Sequence, residues 1–233
     1  MTAPPGTVIP RQSLRAGVAP EGASPAGAVS PLPRIRTLEG RRAHGNVTGT
    51  VRSRDMAAPD RTDLARRIHA ASHLTGTFTL RSGAVSNEYF DKYRFESDPV
   101  LLQDIAHASA ALVPSGVDCL AGLELGGVPL ATMLSQVTGI PAVFVRKQAK
   151  TYGTCRLAEG RDIEGRRLCI VEDVVTSGGA VLDAAAELRG RGAQLGPVVC
   201  VIDRESGGAE KLASSGLTLH ALYTMSELGA AAN

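Results

Sequence analysis

Tryptophan is absent from this 233-residue chain, and phenylalanine and tyrosine together number eight, so its core must be built from aliphatic side chains. Cysteine is scarce as well. The four present (Cys119, Cys155, Cys169, Cys200) show no CxxC spacing, so nothing marks a zinc or redox motif. Cys169 and Cys200 fall within apolar strand patterns and read as buried free thiols of a reducing, cytoplasmic setting. The five histidines are read as scattered, with no metal site expected among them. Net charge is only +2, too little for a strong nucleic-acid or membrane field. No apolar run approaches the length of a bilayer span.

Charge and proline are unevenly spread. Residues 1–55 hold eight arginines, no lysine, three acids and seven of the thirteen prolines, but no aromatic residue and no apolar periodicity. That segment buries too little surface to offset ordering entropy, so it reads as a disordered tail. Its arginine-rich make-up faintly resembles an organellar transit peptide; an extension upstream of a true start at Met56 is the alternative. The folded part is expected over 56–233, as one domain.

There the pattern alternates between strand and helix. Asp60 is placed to cap a helix running to Ala71, with Leu64 and Ile68 inward. A short strand is expected over 77–83, followed by the segment 87–94. Ser97-Asp-Pro99 starts a helix reaching about Val113. Strands at 119–123 and 141–145 flank a helix over 130–136, and the alternation continues through 167–172, 180–189, 197–203, 209–215 and 217–223. Repeated alternation of this kind argues for an α/β fold with a parallel sheet covered on both faces, binding ligands at the carboxyl ends of its strands.

The most informative stretch is Leu168-Cys-Ile-Val-Glu-Asp-Val-Val-Thr-Ser-Gly-Gly179. An apolar strand runs into the acidic pair Glu172 and Asp173, then into a loop of hydroxyls and glycines that opens a helix. Glycines let backbone N–H groups approach an anion, hydroxyls add donors, and the helix start favours negative charge. The carboxylates would repel a phosphate, so they suit sugar hydroxyls or a metal on the same ligand. No lysine follows the glycines, which excludes a Walker loop. Glu124-Leu-Gly-Gly-Val-Pro129 is a second glycine turn at a strand end. Between 146 and 160 a structureless connection carries Arg146, Lys147 and Lys150, a cationic lid suited to a polyanion, although a solvated basic loop would look alike.

Four stretches carry a resemblance: Phe78-Thr-Leu-Arg-Ser-Gly83, Gly122-Leu-Glu-Leu-Gly-Gly-Val-Pro129, Arg146-Lys-Gln-Ala-Lys-Thr-Tyr-Gly153 and the Glu172–Ala180 motif. From about Thr77 to Arg204 the chain resembles the orotate phosphoribosyltransferases. Any phosphoribosyltransferase could carry the last stretch; the lid and the Phe-Thr-Leu entry select the orotate family. The resemblance implies a type I phosphoribosyltransferase fold, a central mostly parallel sheet with helices on both faces and a small N-terminal hood. It implies phosphoribosyl pyrophosphate (PRPP) and orotate as substrates, Mg²⁺ held mainly by substrate, and a homodimer with shared active sites, with no nucleic acid or membrane partner.

The resemblance also implies roles. Glu172 and Asp173 would take the ribose hydroxyls, and Val174, Val175, Thr176, Ser177, Gly178, Gly179 and Ala180 would complete the PRPP motif and cradle the 5-phosphate. Leu125, Gly126 and Gly127 would offer backbone donors to the pyrophosphate, which Arg146, Lys147 and Lys150 would neutralise. Thr176 and Arg204 would meet orotate, with Arg81 and Lys92 adding positive charge nearby. Arg146, Lys150 and Asp173 would be the catalytic set. Many members have Lys where Arg81 stands and His where Tyr152 stands, so a PRPP contact at Tyr152 rests on its position alone. Arg204 also makes independent sense, since a guanidinium after an apolar strand suits bidentate carboxylate recognition; a surface pair with Glu205 is the plain alternative. Two other functions remain open at this stage, a purine phosphoribosyltransferase and a non-catalytic phosphoribosyl-binding regulator.

Overall fold

Asp60 and Asp98 start the first long helices in the way their positions predict. The computed structural model describes residues 59–80, 83–149 and 156–232. Asp60 accepts the backbone N–H of Asp63 at 2.8 Å, opening α1 (Arg61–Ser72). Asp98 accepts from Val100 and Leu101 at 2.9 and 3.0 Å, with Pro99 in the first turn, opening α3 (Pro99–Ala110). Each cap satisfies N–H groups that have no partner within the helix.

Between these helices the chain departs from the expected single short strand. It leaves α1 directly into β1 (His73–Thr79), which pairs antiparallel with β2 (Val85–Phe90) in a separate two-stranded sheet. The register shifts between Thr75 and Phe78, so the pair is locally irregular. A five-residue helix, α2 (Tyr93–Ser97), joins this hood to α3.

The main sheet contains β3 (Cys119–Leu123), β4 (Ala142–Val145), β5 (Ala158–Glu159), β6 (Arg167–Val175), β7 (Gln194–Asp203) and β8 (Leu219–Thr224). Its order is β5-β4-β3-β6-β7-β8, parallel except for the short β5 at one edge. Around it lie α4 (Gly127–Thr138), α5 (Gly179–Gly190), α6 (Gly208–Ala213) and α7 (Met225–Ala231). Both faces are covered, as β6 illustrates. Cys169 and Val171 join a core with Leu64, Ile105 and Leu130, while Leu168 and Ile170 join another with Val181, Leu188 and Leu212. That alternation is the period of two of a strand buried on both sides. Each such Leu or Ile stabilises the fold by roughly 1.5–3 kcal/mol relative to exposure.

The 146–160 connection holds one element the sequence pattern did not show, β5, anchored by buried Leu157 and Ala158. Another is α7, closed by a capping box of Thr224 and Glu227. Successive strands leave β3 toward β4 on one side, and leave β6 toward β7 and β8 on the other. The carboxyl ends of β3 and β6 therefore flank the point where the winding reverses, the usual place for a ligand crevice.

Candidate active site

Both glycine turns lie at that point. After β3, the turn from Glu124 to Gly127 contains a cis peptide between Glu124 and Leu125. Leu125 is exposed at its tip, while Gly126 and Gly127 are buried at the start of α4. α4 begins three residues earlier than its apolar stripe predicts because these glycines allow close packing. A Cβ on Gly127 would stand 2.2 Å from the carbonyl oxygen of Val171, and one on Gly126 would stand 1.5 Å from Asp173 Oδ2. Any side chain at Gly126 would displace that carboxylate.

After β6, the second turn exposes Thr176 and Ser177 and passes through Gly178, whose left-handed φ of 71° a side chain would strain. Gly179 then opens α5, and Ala180 in its first turn lines a cavity of about 600 Å³. Glu124, Arg146, Lys147, Glu172 and Asp183 also line it. Arg146 and Lys147 thus face Glu172 across one cleft. The backbone N–H of Lys147 donates to a Glu124 carboxylate oxygen at 3.0 Å, fastening the lid's first residues to the β3 turn. Arg146 Nε is buried without a hydrogen-bond acceptor among the described residues. A cationic donor left in that state is suited to an incoming anion.

The acidic pair divides in two environments. Glu172 is half-buried on the cleft wall, whereas Asp173 has no exposed surface. Asp173 Oδ1 accepts the N–H of Val174 at 2.6 Å, and Oδ2 meets the ammonium of Lys92 at 2.5 Å. Burial works against its charged form, but hydrogen bonds from Glu96, Glu172 and Lys92, together with the ammonium charge, hold its pKa below the usual carboxylate value. The opposite holds for Glu172, whose pKa burial and the neighbouring Asp173 push well up. Glu96 behaves likewise, raised to about 9 by burial and by Asp173. Sequence reasoning placed Lys92 near the base and overlooked Glu96 entirely. Lys92 is the counter-ion of Asp173.

Val174 and Val175 contribute backbone rather than side-chain chemistry: Val175 is buried in the core, and its carbonyl accepts the N–H of Arg204 at 2.9 Å. Arg204 leaves β7 exposed at the same sheet edge. No pair with Glu205 is present among the described residues; Glu205 Oε2 accepts instead from the backbone N–H and hydroxyl of Ser226 at 2.9 and 2.6 Å. Arg204 lines a second cavity of about 440 Å³ beside the hood, with His69, His73, Tyr89 and Phe90. The rings of His69 and His73 stack there with centroids 4.7 Å apart. Arg81, Lys150 and Tyr152 lie outside the described residues.

Comparison with known proteins agrees with this geometry. The model of the phosphoribosyl transferase domain matches residues 94–221. The orotate phosphoribosyltransferase of a Nocardioides species is 56% identical over 168 residues, covering 72% of this chain and 94% of that one. The chain belongs to the orotate phosphoribosyltransferase family. Another relative of that name, from Halobacterium salinarum, is 44% identical over 174 residues, covering 74% of this chain and 98% of that protein. Among solved structures, the Mycobacterium tuberculosis orotate phosphoribosyltransferase in complex with Fe(III) dicitrate superposes with a TM-score of 0.68 at 33% identity, covering 73% of this chain and 99% of that one. The same protein in complex with PRPP gives 0.64 at 30% identity, with the same coverage. The type I phosphoribosyltransferase fold expected from the sequence is the fold observed.

Proposed function

We infer that this protein transfers the 5-phosphoribosyl group of PRPP to orotate, giving orotidine 5-monophosphate and pyrophosphate, a step of pyrimidine (UMP) synthesis. The observation that carries the inference is the cleft at the winding reversal. Its wall brings Glu172, the lid's Arg146 and Lys147 and, from the start of α5, Ala180 together in a chain that is 56% identical to a protein of that name. In this reading the loop from Thr176 to Ala180 takes the 5-phosphate through backbone N–H groups and hydroxyls. Glu172 on the cleft wall takes the ribose hydroxyls, and Asp173, buried behind it, completes the acidic pair of the sugar site. The turn from Leu125 to Gly127, with Arg146, Lys147 and Lys150, takes the pyrophosphate. Arg204 pairs with the orotate carboxylate from the hood side, with Thr176 and Arg81 beside it.

In the reaction a ring nitrogen of orotate bonds to C1 of the ribose as the bond from C1 to the pyrophosphate oxygen breaks. Pyrophosphate leaves with the bonding pair, and the nitrogen's proton passes to water. The sugar passes through an oxocarbenium-like state, as in glycoside chemistry. Negative charge grows on the leaving group, so fixed cations aimed at it favour the transition state over the ground state. No carboxylate cluster able to hold a metal ion lies among the described residues, so Mg²⁺ would enter with the donor as a hard cation on oxygen ligands. When bound it neutralises part of that charge. Lid closure over the cleft excludes water that would hydrolyse the activated sugar.

We also propose a homodimer in which the lid serves the partner's site, since a lid leaving a strand end can reach a two-fold-related cleft. A cytoplasmic location suits the free, buried thiols of Cys119, Cys169 and Cys200. The test of the activity is to offer PRPP and Mg²⁺ with orotate, uracil, adenine and hypoxanthine in turn. Only orotate should be consumed at an enzymatic rate; preference for a purine would overturn the base assignment.

A further inference from the structure

Asp173 has no exposed surface, so its neighbours alone decide how its carboxylate is held. Two of them are charge-assisted or backbone donors: the Lys92 ammonium on Oδ2 and the Val174 N–H on Oδ1. The others are carboxyls, Glu172 on the cleft side and Glu96. Glu96 of α2 lies beside Asp173 under the Gly126 turn, and its own Oε1 is buried with no hydrogen-bond partner among the described residues. Two ionised carboxylates cannot hydrogen-bond to each other, and both would pay the cost of buried, unmatched charge. One proton between them removes both costs. The set of Lys92, Asp173 and Glu96 then holds one ammonium, one carboxylate and one neutral acid. Gly126 presses on the same pair, because a Cβ there would meet Asp173 Oδ2 and Glu96 Oε1.

We propose that Lys92 and Glu96 are positioning residues for the donor site: Lys92 keeps Asp173 ionised, and a protonated Glu96 donates a hydrogen bond that holds this carboxylate in one orientation behind Glu172 and beneath the Gly126 turn. The proposal rests on the transferase reading and deepens it, since the groups so held are those assigned to the ribose and the pyrophosphate. Glu96 is faced by Lys92 and Asp91 from the chain entering α2, and by Asp173 from β6 with Glu172 beyond it. Its raised pKa, about 9, agrees with a neutral acid at physiological pH. The arrangement is legible in side-chain terms: an amide at position 96 still donates, whereas an alkyl group of similar bulk does not.

Steady-state kinetics of wild type, Glu96→Gln and Glu96→Leu, varying PRPP and orotate in turn from about pH 6.5 to about pH 9.5, separate the roles. Glu96→Leu should raise the PRPP KM about tenfold or more while moving the orotate KM less than about twofold. Glu96→Gln should recover most of that loss at neutral pH. In the wild type, kcat/KM for PRPP should fall above about pH 9 as Glu96 ionises against Asp173, and Glu96→Gln should shift that limb upward. Calorimetric titration with PRPP alone gives the same comparison as a Kd, without turnover. Wild-type donor binding in a folded Glu96→Leu protein, or a Gln variant no better than Leu, would overturn the proposal. Wild-type protein that binds PRPP but makes no nucleotide from orotate would sink the transferase reading instead, and the Kd series would still decide the role of Glu96.

Discussion

The ammonium of Lys92, at the entry to α2, sits 2.5 Å from Oδ2 of Asp173, at the end of β6. The pair joins the hood side of the molecule to the central strand, and its carboxylate member is wholly buried while the lysine side chain is 31% exposed. Removing the cation leaves a buried charge without its partner, which is the expensive way to break such a pair. Lys92→Met is therefore expected to lower the unfolding free energy by about 3 kcal/mol, the low end for a buried pair. Urea denaturation of the two proteins checks this. Equal midpoints would mean that Asp173 takes up a proton at no measurable cost.

Glu96 sets a pH dependence of stability whose sign is unusual for a carboxyl. Its folded pKa of about 9 lies above the ordinary value of 4.5, so between those limits the folded state binds more protons than the unfolded chain. Stability from this group is therefore full at low pH and is lost as pH rises through that window. Glu96→Gln removes the titration. Its melting temperature relative to wild type should rise steadily from about pH 5 to about pH 8.5. A constant offset across that range would count against a protonated Glu96.

These two residues also show what the sequence could and could not convey. The Glu172–Gly179 motif and the caps at Asp60 and Asp98 are legible because their chemistry is local, with donor and acceptor a few residues apart. Lys92, Glu96 and Asp173 meet only because the hood folds back on the carboxyl end of β6, and no periodicity encodes that meeting. The same holds for Arg204, whose cavity is completed by His69 from α1 and Tyr89 from β2. The helix α7 is a different matter. Thr224 and Glu227 have capping-box spacing, a local signal that was present but is easily passed over before a seven-residue helix. β1 begins earlier than the pattern predicts because α1 runs into it without a glycine or proline to mark the change.

Arg204 carries the prediction about the base. Glu205 turns to Ser226, and the Arg204 side chain lines the cavity beside the hood. Arg204→Ala should raise the orotate KM by about tenfold to a hundredfold, the worth of a charge-assisted pair, and leave the PRPP KM within about twofold. Equal effects on both substrates would remove Arg204 from the base site.

The shared-site dimer can be tested by mixing subunits. Lys150→Ala disables the lid and Asp173→Asn disables the sugar site, so each variant alone should be nearly inactive. After joint unfolding and refolding, about half of the dimers should be mixed and roughly a quarter of all sites should regain a complete set of groups. Confirmed heterodimers without recovered activity would show that each lid closes over its own subunit.

The central claim is that the cleft between the β3 and β6 turns moves a phosphoribosyl group from PRPP to orotate, with the acidic pair holding the sugar. The most direct measurement quantifies orotidine 5-monophosphate and pyrophosphate in the same reaction of wild type and Asp173→Asn with PRPP, Mg²⁺ and orotate. The wild type should release the two products in equal amounts, and Asp173→Asn should slow both by about a hundredfold or more. Pyrophosphate released without nucleotide, or a fully active Asp173→Asn protein, would contradict it.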